Sequence, residues 1–141
     1  MADLRRYYLD SNVLIAIVER RKNATTRQIG LMDAITAGEV DAVTSEFSLS
    51  ECLVKPISDG DEALVEFYQR VLSSEGEIQV TPVARDVLIE AAKVRSIQKI
   101  KLPDAIHFAT AWLSGCTTFI TNDRRLANAW PKDVVLWDEM N

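Results

Sequence analysis

Residues 7–15, Tyr-Tyr-Leu-Asp-Ser-Asn-Val-Leu-Ile, are the stretch from which the fold of this chain is best predicted. The first three residues have the aromatic and aliphatic character of a buried strand, and the apolar run resumes at Val13 as in a helix packed on a sheet. Asp10, Ser11 and Asn12 lie between them and have the chemistry of a helix N-cap. In an open α/β sheet this junction lies at the carboxyl end of a strand, where ligands bind if the strand order reverses. Asp10 is either a plain N-cap or a functional carboxylate, and this stretch alone favours the N-cap.

Length and composition indicate one domain. The chain has 141 residues, 48% of them hydrophobic, which is enough for one proper core and too few for two ordinary domains. We therefore expect a single domain over residues 1–141. The net charge of -5 argues against a generic nucleic-acid coat, which needs an excess of Lys and Arg. It does not exclude a nuclease, whose metal ions supply local positive charge.

Several features favour a cytoplasmic location. Cys52 and Cys116 are far apart, lie in apolar contexts and lack a paired metal-binding spacing, so we interpret both as core thiols in a reduced compartment. Residues 1–6 lack the apolar core of a signal peptide, and no apolar run approaches membrane length.

The order of apolar segments predicts an α/β fold. Strands that alternate with helices favour a largely parallel sheet covered on both faces, that is, a three-layer α/β/α arrangement with about five strands. The predicted strands are residues 7–9, 40–44, 77–80, 116–121 and 134–137. The predicted helical segments are residues 13–18, 26–37, a segment from Phe47 that Pro56 ends nearby, residues 63–72, a segment opened by Thr81 as N-cap and Pro82, and residues 103–114.

Four carboxylates lie near the ends of apolar elements. Asp10 and Asp123 each follow a predicted strand, so two strands deliver a carboxylate to the same edge of the sheet. Asp104 opens an apolar helix, a position that the helix dipole by itself also favours. Glu51 lies in an apolar helical stretch, where a charge is costly unless it is paired or bound to metal. Together, several oxygen ligands on rigid elements are what hard divalent cations require.

The histidine, glycine and basic residues exclude several other classes of catalytic site. His107 is the only histidine, which excludes a two-histidine ribonuclease, a His-rich zinc site and most Ser-His-Asp chemistry. We interpret it as a packed, hydrogen-bonded histidine. The five glycines are scattered and form no phosphate-binding loop. Four cations flank the acids: Lys99, Lys101, Arg124 and Arg125. They either guide a phosphate to the acids or are solvated charges at helix ends.

Four segments together resemble the PIN domain and, more narrowly, the VapC-type ribonuclease toxins of type II toxin-antitoxin pairs: residues 9–15, 50–54, 102–111 and 120–123. The most specific is Pro-Asp-Ala-Ile-His-Phe-Ala-Thr-Ala at residues 103–111. The resemblance spans Tyr8 to about Trp137. It implies a metal-dependent endoribonuclease with an acidic cluster of Asp10, Glu51, Asp104 and Asp123.

The resemblance also implies individual roles. Asp10 and Asp104 would ligate the principal Mg²⁺ or Mn²⁺, Asp123 would help to bind it or a second ion, and Glu51 would orient or deprotonate the attacking water. Ser11 or Asn12, with Asn122, would orient the cluster or a water. Many relatives have a Thr or Ser where this chain has Asn12, whose amide can still hydrogen-bond a carboxylate. Glu46 is a rival to Glu51, which we prefer because of its Ser-Glu-Cys-Leu-Val context.

A toxin of this type implies a partner. The partner would be a small antitoxin whose tail covers the acidic cluster with a basic side chain and apolar anchors, and we also expect a homodimer. One alternative is a PIN-like protein or RNA interaction module that does not cut. Another is a metal-dependent phosphatase, which is disfavoured because the residue two positions after Asp10 is Asn12 and an Asp-x-Asp pair is missing.

Overall fold

The structure is a computed structural model and describes residues 5–141. Within this range five strands form one sheet: β1 (Arg5–Leu9), β2 (Val40–Ser45), β3 (Gln79–Thr81), β4 (Thr118–Thr121) and β5 (Asp133–Leu136). The helices are α1 (Ser11–Glu19), α2 (Thr26–Thr36), α3 (Phe47–Asp59), α4 (Glu62–Val71), α5 (Arg85–Ile97) and α6 (Leu102–Leu113). Short 3-10 turns occur at Arg21–Asn23, Arg124–Leu126 and Trp137–Glu139. The predicted α/β fold with about five strands is confirmed.

The sheet has the order β3-β2-β1-β4-β5, and each neighbouring pair is parallel. From β1 the chain adds β2 and β3 on one side, and it then adds β4 and β5 on the other. The strand order therefore reverses between β1 and β4, where Leu9 is paired with Ile120. In open α/β sheets this reversal opens a crevice outside the carboxyl ends of the strands.

Helices cover both faces of the sheet. Consecutive residues of a strand point to opposite faces, so a strand with consecutive apolar residues needs cover on both. Leu9 is fully buried in a cluster that includes Val13 of α1 and Tyr68 of α4. Its neighbour Tyr8 is also fully buried and packs on the other face, where its ring stacks on Phe119 with centroids 5.0 Å apart. The three-layer arrangement predicted from the sequence is thus present.

Helix α3 corrects one prediction. We expected the helix to end near Pro56, but it continues through Pro56 to Asp59 and stops at Gly60, whose φ is 69°. A proline removes one helical hydrogen bond without preventing the residues after it from completing the last turn. Gly60 ends the helix because it adopts the left-handed conformation that favours glycine.

The segment around Thr81 corrects a second prediction. Thr81 belongs to β3 and is paired with Ser45 of β2, whereas α5 starts only at Arg85. The carbonyl of Thr81 accepts the backbone N–H of Glu46 at 2.8 Å. Thr81 is therefore a strand residue and not the N-cap that its sequence context indicates. Strand β3 lies at residues 79–81 instead of the predicted 77–80.

Two further expectations concern the core and the membrane. Cys52 and Cys116 are both buried free thiols, as predicted. None of the helices in residues 5–141 combines the length and the hydropathy that crossing a bilayer requires.

Candidate active site

Asp10 lies at the carboxyl end of β1, where it caps α1 and is only 5% exposed. One of its oxygens, Oδ1, accepts the backbone N–H of Ser11 at 2.9 Å. The other, Oδ2, accepts Thr121 Oγ1 at 2.8 Å and Asn12 Nδ2 at 3.3 Å. A buried carboxylate needs such donors because its charge is costly without them. Asp10 is therefore an N-cap, as its sequence context indicates, and is also held rigidly at the crevice.

Thr121, which we did not single out as a site residue, connects β1 to β4. Its fully buried hydroxyl donates to Asp10 and accepts the backbone N–H of Asp123 at 3.0 Å. The side chain of Asn12 completes this link, because its Oδ1 accepts the backbone N–H of Asn122 at 2.9 Å. The strand-end Ile-Thr-Asn-Asp pattern was the sequence signal that could have identified Thr121.

Asp104 lies in the first turn of α6, as predicted. Burial raises the pKa of its carboxyl above the ordinary value of 3.8, and the negative charges of Asp10 and Asp123 raise it further. The positive charges of Arg125 and His107 oppose this rise but do not cancel it. Burial is the largest cause of the raised pKa, and the charges of Asp10 and Asp123 act in the same direction.

Asp123 follows β4 and opens the 3-10 turn at Arg124–Leu126. Arg125 grips its carboxylate, with Nε 3.0 Å from Oδ1 and 3.2 Å from Oδ2 and with Nη2 also bonded to Oδ2. This ion pair lowers the pKa of Asp123. The same Nη2 lies 4.0 Å from Oδ2 of Asp104, so one guanidinium lies between two of the acids.

Glu51 lies on α3 and reaches His107 of α6, whose Nε2 is 2.6 Å from Glu51 Oε1 and 3.6 Å from Asp10 Oδ1. The hydroxyl of Tyr8 bonds to Nδ1 on the other side of the ring at 2.5 Å. Burial by itself lowers the pKa of His107, but the hydrogen bond to Glu51 and the charges of the acids raise it overall. His107 is a packed, hydrogen-bonded histidine, as interpreted from the sequence, and it also orients Glu51.

The structure thus brings the four predicted acids, which we call the acidic edge, to one side of the sheet: Asp10, Glu51, Asp104 and Asp123. Their catalytic and metal-binding roles stay predictions. Of the supporting residues, Asn12 contacts Asp10 directly, Ser11 contacts it through its backbone N–H, and Asn122 Oδ1 accepts the backbone N–H of Asp138 at 3.0 Å. Glu46 is exposed and lines a groove with Leu49, whereas Glu51 bonds to His107.

The side chains are not arranged as a preformed metal centre. Among residues 5–141 no three His, Cys, Asp or Glu side chains form a group that could hold a metal ion. In this conformation Glu51 bonds to His107 and Asp123 bonds to Arg125. Metal binding at the acidic edge therefore requires some of these side chains to move.

Comparison with protein families places the fold in a known group. The model of the PIN domain family matches residues 7–129. No curated protein is significantly similar in sequence.

Several solved structures have the same fold. VapBC2 from Rickettsia felis, bound to a DNA fragment from its promoter, aligns with a TM-score of 0.75 at 12% identity and covers 94% of this chain and 99% of its own. FitAcB from Neisseria gonorrhoeae gives 0.68 at 19% identity, with 91% and 95% coverage. The sarcin-ricin loop cleaving toxin VapC20 from Mycobacterium tuberculosis gives 0.64 at 16% identity, with 87% and 94% coverage. At these identities the likeness establishes a shared fold.

Proposed function

Since this chain belongs to the PIN domain family, we propose that it is a metal-dependent endoribonuclease that hydrolyses RNA phosphodiester bonds as the toxin of a toxin-antitoxin pair. We further propose that residues 1–141 form one domain and that the protein acts in the cytoplasm. The observation that carries the proposal is the convergence of Asp10, Asp104 and Asp123 from three separate elements, with Asp10 and Asp123 both raising the pKa of Asp104.

The chemistry of the donors fits Mg²⁺ or Mn²⁺. The acidic edge offers carboxylate oxygens, which hard divalent cations prefer, and both cysteines are buried in the hydrophobic clusters of the core. A negative field that Arg125 neutralises only in part favours additional positive charge. Asp10, Asp104 and Asp123 would hold the ion. When bound, it would neutralise charge on the phosphate and activate a water molecule.

The protein's own groups supply positioning. Asp10 is held by Thr121, Asn12 and the start of α1, so its oxygens point to a defined place in the crevice. Glu51 is held by His107 Nε2 through Oε1, while its side chain remains 32% exposed. A carboxylate held in this way is suited to orient or deprotonate a water molecule at the acidic edge. The role of Glu51 is part of the proposal.

The partner we propose is a small antitoxin that covers the acidic edge with a basic side chain and apolar anchors. The neighbouring Rickettsia felis structure is a VapBC2 complex. On this chain, α3 carries Glu51 and also presents Val54 and Ile57, which are 65% and 61% exposed and line one groove. An exposed apolar strip on the helix that carries Glu51 suits apolar anchors. We also propose a homodimer, which sedimentation analysis of the purified protein would test.

The test is cleavage of a mixed cellular RNA pool by the purified protein with Mn²⁺ or with a chelator. We expect discrete metal-dependent products that disappear in Asp104→Asn. Asp59→Asn is the matched control, because Asp59 pairs with Lys55 on an exposed stretch of α3 away from the acidic edge. Products that persist in Asp104→Asn would contradict the proposal. Metal binding without RNA cleavage would favour a phosphatase, and absence of both would favour a non-catalytic module.

A further inference from the structure

Among the lysines and arginines in the described part of the chain, Arg125 is the one that pairs with the acidic edge. Its guanidinium makes a two-point contact with Asp123 through Nε and Nη2. The same Nη2 lies 4.0 Å from Asp104 Oδ2. One positive group is thus shared by two carboxylates that belong to different elements, the turn after β4 and the start of α6.

The contact occupies both oxygens of Asp123. Oδ1 accepts the backbone N–H and Nε of Arg125, each at 3.0 Å, and Oδ2 accepts Nε at 3.2 Å and also Nη2. A carboxylate that accepts a planar guanidinium at two points has its lone pairs directed to that group. A divalent ion that used Asp123 as a ligand would have to replace these bonds.

Charge repulsion acts in the same direction as the geometry. A divalent ion between Asp104 and Asp123 would lie within a few ångströms of the Arg125 guanidinium, and like charges at that separation repel. The Arg125 side chain is 66% exposed, so it has room to turn towards solvent. Binding of the divalent ion would therefore exchange one cation, the Arg125 guanidinium, for another.

We propose that Arg125 is an internal competitor of the divalent ion, which occupies Asp123 and faces Asp104 in the metal-free protein and must leave them when the ion binds. The inference rests on the proposed metal-dependent function and adds how ion affinity at that site is set. Arg125 weakens ion binding and keeps the acids neutralised in part when no ion is present.

The test measures Mn²⁺ affinity directly, by isothermal titration calorimetry or by the electron paramagnetic resonance signal of free Mn²⁺, with the full chain. Arg125→Gln removes the charge and the two-point contact, and we expect it to bind Mn²⁺ roughly tenfold more tightly because an exposed pair is worth a modest factor and repulsion is also removed. Arg125→Lys keeps the charge without the planar fork, and its affinity should lie between the two.

Arg124→Gln is the matched control. Arg124 is the adjacent, exposed arginine, and its Nη1 pairs with Glu139 at 2.9 Å instead of with the acidic edge. This variant should leave the Mn²⁺ affinity unchanged. Thermal unfolding of each variant without metal confirms that the proteins compared are folded.

The outcomes separate this inference from the proposed function. If the unmodified protein binds Mn²⁺, Asp104→Asn abolishes binding and Arg125→Gln binds no more tightly than the unmodified protein, Arg125 is not a competitor and the metal-dependent function stands. Weaker binding by Arg125→Gln would also overturn the inference, since Arg125 would then support the site. If no variant binds Mn²⁺, both proposals fail.

Discussion

The buried hydroxyl of Thr121 provides a sharp test of how the acidic edge is assembled. Thr121 is fully buried and Asp10 is 5% exposed. The hydroxyl donates to Asp10 Oδ2 at 2.8 Å and accepts the backbone N–H of Asp123 at 3.0 Å. Thr121→Val keeps the shape of the side chain and removes these two bonds together with the longer one from Asn12 Nδ2 at 3.4 Å, so the change measures hydrogen bonding without opening a cavity.

The expected magnitude follows mainly from the two shorter bonds, those to Asp10 and from Asp123. A hydrogen bond to a charged group contributes about 1.5–3 kcal/mol, and an ordinary one about 1 kcal/mol. The methyl group that replaces the hydroxyl contributes little stabilisation, because the carboxylate of Asp10 stays buried next to it. We therefore expect Thr121→Val to lower the free energy of unfolding by about 2–4 kcal/mol, and by less when Asp10 is replaced by Asn, since the charge is then absent.

Urea denaturation followed by circular dichroism is a suitable assay, and Thr110→Val is the matched control. Thr110 is equally buried, but its hydroxyl donates within α6 to the carbonyl of Ile106 at 2.7 Å. That carbonyl also receives the helix's own N–H bond, so this change should cost less than about 1 kcal/mol. If Thr121→Val costs no more than Thr110→Val, the hydroxyl does not hold Asp10 and our account of the site is wrong.

Three further predictions concern charge and pH. Without metal, Asp104→Asn should be more stable than the unmodified protein at pH 7, since burial, Asp10 and Asp123 raise the pKa of Asp104 and its ionised form is therefore unfavourable in the folded state. The gain in stability should vanish as the pH falls through that pKa. Urea denaturation in chelator at pH 7 and at pH 4, with Asp59→Asn as control, checks both expectations. A lower stability of Asp104→Asn at pH 7 would contradict this. Burial raises the pKa of Cys52 to about 12 and that of Cys116 to about 11, from an ordinary 9.0, so a thiol reagent at pH 8 should label neither cysteine until urea is added. Because the unfolded chain loses these protons first, stability should fall as the pH rises above about 9, and less steeply in the Cys52→Ala, Cys116→Ala double variant.

The sequence predicted correctly those elements whose local residue pattern favours the same structure as their contacts in the fold. The apolar run around Asp10 and the proline-opened helix that carries Asp104 in its first turn lie where the sequence indicates, because capping residues and a proline at a helix start are local signals. The prediction fails at Pro56 and Thr81, where a helix continues past a proline and sheet pairing replaces a cap. At Thr81 pairing with β2 outweighs the local preference, whereas at Pro56 the helix loses one hydrogen bond and still completes its last turn.

By itself the sequence determined the α/β class, the resemblance to the PIN domain and the four acids, since these depend on residue type, order and spacing along the chain. The tertiary structure alone decided the partner of each acid. Thr121 bonds to Asp10 across 111 residues of chain, and Tyr8 bonds to His107 across 99. Such pairs depend on the register of β1 against β4 and on the packing of α6 on the sheet. They are set by distances of a few ångströms that no local pattern encodes.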